Sequence, residues 1–403
     1  MSVTAAAGFE AGGVACGIKA SGAPDLALLA TTDRRPVTAA GVFTTNLVAA
    51  APVQVSRRHL ADGRAAAVVL NSGNANAATG EAGRRDALRM CELAGESLGC
   101  ATTDVLVCST GLIGIPMPMD PVESGVPKLA AQLGAHGDAG RRAADAILTT
   151  DTVRKETGAV QVDLGGGVRV MLGGMAKGAA MLSPAMATML AVLTTDAAVE
   201  HFTLHRFLEH AVDASFNQLS VDGCTSTNDT VLVLASGRAG NPPIGSPGST
   251  RFAEHALGDA LTIACEDLAH QMARDAEGAT KLVTVQVTAA RSSHEARVAA
   301  RAVANSQLVQ CSLYGADPYW GRVLSELGAS GASFDPERVD IAYNGVLVCH
   351  NGVACAHDAD ALVGAMAARN IEIDCVLHAG MGAARVLTTD LSHAYIDENK
   401  GTS

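Results

Sequence analysis

The chain has 403 residues, 48% of them hydrophobic and only 3% aromatic, and carries a formal net charge of −12. That length supports a large buried core spread over two or three domains or lobes, and the abundant small residues suit closely packed layers. An acidic chain without a basic run is a poor match for nucleic acid, and no stretch reaches the roughly 18 apolar residues of a membrane-spanning helix. The most apolar run, residues 181–193, is short and interrupted by Pro184. Met1-Ser2-Val3-Thr4-Ala5 lacks a basic segment leading into an apolar one, so a cytoplasmic protein without a signal peptide is expected. The ten cysteines form no CxxC pair, which reads as reduced, mostly buried thiols. Cys349, His350, Cys355 and His357 gather near Gly352, but their spacing fits no common zinc pattern; they are taken as core and loop residues, and no metal is expected.

In chain order, residues 66–70 read as a buried strand running into the polar turn Asn71-Ser72-Gly73-Asn74-Ala75-Asn76. A helix is predicted over 81–98 and a short strand over 105–108, ending at Ser109-Thr110-Gly111. A short helix over 141–148 enters Thr149-Thr150-Asp151-Thr152. Gly165-Gly166-Gly167 is a turn before a strand over 168–172. Ser183-Pro184 has the N-cap and first-turn chemistry of a helix start. Residues 240–249 form a Gly/Pro/Ser surface loop. Phe252, Leu257, Leu261, Ala264, Leu268 and Met272 recur at helical spacing, which predicts an amphipathic helix over 251–272. Strands follow over 282–287, 339–343 and 371–377. This mixture of strands and helices argues for α/β layers.

Three places carry residues whose chemistry exceeds what their local structure needs. Thr110-Gly111 closes a strand, Lys177 lies among glycines, and Thr188 follows eleven residues later in an apolar neighbourhood. Apolar surroundings penalise an unpaired charge, so Lys177 calls for an anionic partner. Taken singly, each also has an ordinary reading: a strand-ending turn, a loop lysine facing water, and a helix threonine bonding its own backbone.

In combination they stand among motifs that occur in a fixed order. These are Ser109-Thr110-Gly111-Leu112-Ile113-Gly114, Leu148-Thr149-Thr150-Asp151-Thr152, Ala176-Lys177-Gly178 and Pro184-Ala185-Met186-Ala187-Thr188-Met189-Leu190. Further along come Thr225-Ser226-Thr227-Asn228-Asp229-Thr230, Glu277-Gly278-Ala279-Thr280-Lys281 and Gly315-Ala316-Asp317-Pro318-Tyr319-Trp320-Gly321-Arg322. Together they resemble the ornithine acetyltransferase family of arginine biosynthesis over nearly the whole chain.

The resemblance implies an α/β fold, a layered α/β/β/α-type sandwich with a second, smaller α/β lobe. It implies that the chain cuts itself between Ala187 and Thr188 into an α chain, residues 1–187, and a β chain, residues 188–403, which assemble as two α and two β chains. The freed Thr188 would be the nucleophile. Its own α-amine, with an unperturbed pKa of about 7.7–8.0, would be the base, so no Ser/His/Asp arrangement is required despite twelve histidines. The implied reaction passes an acetyl group from N2-acetylornithine to Thr188 and then to glutamate, giving N-acetylglutamate. Thr110 and Gly111 match the oxyanion hole. Thr149, Lys177, Thr188, Glu277, Asn399 and Ser403 match substrate-binding positions, with Lys177 suited to a carboxylate and Glu277 to an ammonium. The tail beyond Asn399 is a residue shorter than the family pattern, Cys224 stands where Asp is common, and Ala78 where Cys is common. No cofactor is implied; acetyl-CoA, which some members accept, would enter as a substrate. Two other readings remain at this point: an N-terminal-threonine amidohydrolase or aminopeptidase, and a non-enzymatic Gly/Ala-rich scaffold.

Overall fold

The computed structural model describes residues 2–181 and 189–400. Three sheets organise them. The first runs Phe9–Val14, Leu26–Thr31, Ala67–Asn74, Val105–Leu112. The second has six strands in the order Arg64–Ala65, Val37–Phe43, Thr230–Ala235, Leu190–Thr195, Arg169–Lys177, Lys155–Asp163. The third, also six-stranded, has Leu282–Ala290 between Asn370–Val376 and the edge strand Gly382–Thr389, and continues from Asn370–Val376 through Asp340–Tyr343 and Val346–His350 to Val353–Ala354.

Side chains alternate across a strand, so a strand buried at every position must be covered on both faces. Leu190–Thr195 shows the result. Leu190 and Val192 face a core shared with Leu29, Leu70 and Leu106 of the first sheet. Ala191 and Leu193 face Leu204, Leu208, Leu261 and Leu268 of the helices His201–Ala214 and Arg251–Arg274. The outer face of the first sheet is covered by Val55, Met90, Leu93, Val122 and Val126, from the helices Ala51–His59, Gly80–Leu98 and Met119–Ala130. Helix, sheet, sheet, helix is therefore the layer order. The third sheet and its helices, including Ser293–Ala304 and Trp320–Ala329, enclose a separate core around Val285, Ile341 and Ile373 and form the smaller lobe. The two lobes meet where Leu282 and Leu387 enter the core beneath Arg251–Arg274. Among the described residues no helix is long and apolar enough to cross a membrane.

Several predicted elements are longer than the sequence suggests. The strand predicted over 66–70 continues to Asn74, and the one over 105–108 continues to Leu112. Each completes the other's backbone hydrogen bonds: Asn71 pairs with Ser109 and Ser72 with Thr110 in a parallel ladder, which overrides the turn preference of Asn and Gly. The strand over 168–172 likewise reaches Lys177, because Leu190–Thr195 pairs with it from Leu172 onward. The helix at 141–148 starts earlier, as Gly137–Ala146, with the His136 ring nitrogen accepting from the Ala139 N–H. Arg251–Arg274 begins at a Thr250 cap and buries Leu257, Leu261, Ala264, Leu268 and Met272 as predicted. Phe252 is instead 60% exposed, lying over Gly165 beyond the end of the sheet. Cys349 is buried and donates to the Val339 carbonyl, while His350 bonds Asp340. The helix start at Ser183-Pro184 lies outside the described residues.

Candidate active site

The strand ends Lys177, Leu190, Thr230 and Phe43 are register neighbours at one end of the second sheet. Lys177 occupies the last residue of its strand and is only 2% exposed. Its Nζ donates to the Thr149 hydroxyl at 2.6 Å and lies 3.6 Å from a carboxylate oxygen of Asp151. Asp151 is the anionic partner that a buried lysine requires. It also accepts from Lys155 Nζ at 2.6 Å, from the Gly178 N–H at 2.7 Å and from the Thr149 N–H at 3.0 Å. Lys155, fully buried, passes the charge on to Asp275, which the Thr152 N–H and hydroxyl also hold. A chain of alternating charges, Lys177, Asp151, Lys155, Asp275, thus runs from the buried strand end toward the surface, where Asp275 lines a shallow cavity with Thr152 and Arg274.

Electrostatics in this chain follow from burial working against pairing. Burial alone would raise the Asp151 carboxyl, but the charges of Lys177 and Lys155 and the hydrogen bonds from Lys155 and Gly178 hold it well below the usual carboxylate range. Burial pushes the Lys177 ammonium down, and Asp151 only partly restores it. Lys19, which no sequence pattern singled out, bonds the Leu148 carbonyl at 2.6 Å and adds a half-buried cation to the same region.

Glu277 is 8% exposed, and its N–H bonds the carbonyl of Ala179, two residues past Lys177. One carboxylate oxygen accepts from the Asn399 amide at 2.8 Å. The short helix His393–Glu398 carries Asn399 there, crossing so close to Gly278 that a Cβ at that glycine would lie 2.2 Å from the Tyr395 nitrogen. Gly278 also has φ of +63°, a second reason for glycine in this turn. Asn399→Ala should therefore release the Glu277 carboxylate and raise KM for an ammonium-bearing substrate by about tenfold with little change in kcat, the signature of a lost ground-state contact. Steady-state kinetics with an unchanged KM would refute that assignment.

Thr110 and Gly111 lie near the end of Val105–Leu112, inside the strand rather than in a turn. Thr110 is 1% exposed, and its hydroxyl has no hydrogen-bond partner among the described residues. A buried hydroxyl left unpaired is costly, and one that awaits a ligand oxygen has a reason to be so. Gly111 has φ of +136°, and a Cβ there would come within 2.3 Å of the Gly73 carbonyl carbon. Gly111→Ala is expected to distort this strand pairing and cost about 2 kcal/mol or more of stability, measured by urea unfolding; an undisturbed midpoint would show that the backbone gives way freely.

The structure thus joins Lys177 with Thr149 and Glu277 with Asn399, and places Thr110 and Gly111 on the facing sheet. Ala187, Thr188 and Ser403 lie outside the described residues. Sequence reasoning missed Asp151, Lys155, Asp275 and Asp229 as parts of this region. The demand of buried Lys177 for an anion pointed toward Asp151, inside the same motif as Thr149. Asp229, fully buried, accepts the N–H of Met189 at 2.8 Å.

A buried cation, a buried anion and a buried hydroxyl with no partner among the described residues, around one end of a β-sandwich, suit a small ligand carrying both charges. The ArgJ family model matches residues 10–401, and the chain belongs to the ArgJ family. The arginine biosynthesis bifunctional protein ArgJ of Symbiobacterium thermophilum is 48% identical over 399 residues, covering 98% of this chain and 97% of its own length. Its namesake from Streptomyces coelicolor is 47% identical over 403 residues and covers both chains in full, at 100% each. A crystal structure of arginine biosynthesis bifunctional protein ArgJ from Bacillus halodurans is 37% identical, with a TM-score of 0.49 over 52% of this chain and 96% of that one.

Proposed function

We propose that this chain is a glutamate N-acetyltransferase of arginine biosynthesis that moves an acetyl group from N2-acetylornithine to glutamate. The observation that carries the reading is the pairing of buried Lys177 and buried Glu277, each tied to a neutral side chain, Thr149 or Asn399. N2-acetylornithine offers a carboxylate to the first and an ammonium to the second. Family membership and the names of the relatives support the same assignment.

The mechanism begins with the chain itself. The Thr188 hydroxyl attacks the Ala187 carbonyl, the Ala187-Thr188 amide becomes an ester, and water hydrolyses it, leaving residues 1–187 and 188–403. The new Thr188 amine then takes the proton of its own hydroxyl as that oxygen attacks the acetyl carbonyl. The amide C–N bond breaks and ornithine leaves with the proton. Glutamate's amine attacks the acetyl ester, Thr188 is regenerated and N-acetylglutamate departs. The Thr110 hydroxyl and Gly111 N–H donate to the oxyanion at each stage, a contact worth about 10²–10³-fold per donor. Ser403 would add a tail contact to substrate, acetyl-CoA would serve as an alternative acetyl donor without any resident cofactor, and the working form would be a cytoplasmic assembly of two α and two β chains.

The test is a direct assay of purified protein with N2-acetylornithine and glutamate, following N-acetylglutamate and free acetate together. Glutamate-dependent N-acetylglutamate formation is the expected result. Acetate release without it would replace this reading with a hydrolase that hands the same acyl-threonine to water.

A further inference from the structure

We infer that the dipeptide Asn228-Asp229 is a gauge that sets the separation between the Thr110-Gly111 strand end and the chain immediately following Thr188. Both side chains are buried, at 4% and 0% exposure. Asn228 Nδ2 donates to the carbonyls of Ser109, at 2.8 Å, and Ala75, at 2.6 Å. Asp229 accepts the Met189 N–H at 2.8 Å, and the next residue, Thr230, donates its N–H to the Met189 carbonyl at 3.2 Å. Ser109 immediately precedes Thr110, and Met189 immediately follows Thr188. One peptide unit therefore links the two grips, and neighbouring Cα atoms across a trans peptide are held about 3.8 Å apart. The gauge itself is anchored, because the Asp229 carbonyl accepts the Thr44 N–H at 2.9 Å and the Asn228 carbonyl accepts the Thr230 hydroxyl at 3.0 Å.

The chemistry of Asp229 suits a spacer that works through one acceptor oxygen. Its second carboxyl oxygen has no partner among the described residues. Burial drives the carboxyl well above the usual range, against the opposing pull of the Met189 N–H, Ser226 and the Lys177 charge. A carboxyl and a carboxamide present the same acceptor oxygen to Met189, so asparagine can replace it. Alanine cannot. Asn228 and Asp229 are positioning residues here: they act through the backbone at 109 and 189, and among the described residues neither hydrogen-bonds to Lys177 or Glu277.

This inference rests on the reading of Thr188 as the nucleophile, and its test separates the two. Full-length wild type, Asp229→Ala and Asp229→Asn are compared for the half-time of self-cleavage on a denaturing gel and for kcat and KM of acetyl transfer from N2-acetylornithine to glutamate. Misplacing reacting groups by about 1 Å costs about 100-fold, so Asp229→Ala should lose about that factor in both cleavage and kcat with KM nearly unchanged. Asp229→Asn should stay within about fivefold of wild type, since it keeps the acceptor. Wild-type kcat in Asp229→Ala, a change confined to KM, or an Asn variant no better than Ala would each overturn the inference. Should Asp229→Ala not accumulate as folded protein, Asp229→Ser and Asn228→Ser take its place, and wild-type kcat in either is equally fatal. An uncleaved wild type would instead remove the nucleophile reading on which the inference depends.

Discussion

Thr188→Ala should leave a single full-length polypeptide on a denaturing gel and lower acetyl transfer by at least about 10⁴-fold, because removing a covalent nucleophile removes the whole two-step route. Wild type should show two bands, one for residues 1–187 and one for 188–403. On the proposed mechanism both losses trace to one hydroxyl, which would open the peptide bond and so create the amine that would later serve as base. Thr188→Ser keeps the hydroxyl and should recover two bands, at a reduced rate. The surroundings of the flanking residues make the test clean. Met189 is held by Asp229 and Thr230, and Lys177 by Thr149, so the alanine variant should keep the wild-type fold. Two bands in Thr188→Ala, or acetyl transfer within tenfold of wild type, would remove Thr188 from the mechanism.

Asp151→Asn is expected to destabilise the protein by about 3–5 kcal/mol in urea unfolding, the usual cost of breaking a buried ion pair from one side. The carboxylate is fully buried and serves two buried cations. Asparagine keeps the shape but leaves Lys177 with only the weaker attraction of Glu277 and Lys155 with Asp275 alone. The pH dependence has a definite sign. Asp151 has a folded-state pKa depressed below its unfolded value of about 3.9, so its stabilisation is present above that pH and is lost as pH falls through the folded value. The gap between wild type and variant should therefore be steady from about pH 5 to 7 and narrow below about pH 4. Lys177 works the other way: burial lowers its pKa, so holding it protonated costs stability at neutral pH, and loss of Asp151 deepens that cost. A gap below about 1 kcal/mol at pH 7 would show that water reaches this cluster after all.

Local patterns in the sequence identify elements where one periodicity dominates. The helix Arg251–Arg274 is such a case: its apolar spacing and Thr250 cap are both local, and only Phe252 escapes the pattern, at the overhanging first turn. Strand lengths are less legible. Asn71, Gly73, Asn74 and Gly111 are poor strand formers singly, and they join strands because the two segments satisfy each other's backbone across the sheet. Partners such as these lie more than thirty residues apart, beyond any local window.

The candidate site divides in the same way. Sequence by itself determined the family, the residue types suited to acyl transfer, and the need of Lys177 for an anion, because composition, motif order and the cost of a buried charge are properties of the chain. Only the tertiary structure decided that Asp151 meets that need, that Asn399 crosses 122 residues to reach Glu277, and that Asn228-Asp229 ties the Thr110 strand to Met189. Asp151 meets Lys177, and Asn399 meets Glu277, because their flanking strands are neighbours within one sheet, whereas the Asn228-Asp229 tie depends on two sheets stacking, which is set by burying both faces of strands such as Leu190–Thr195 rather than by any motif along the chain.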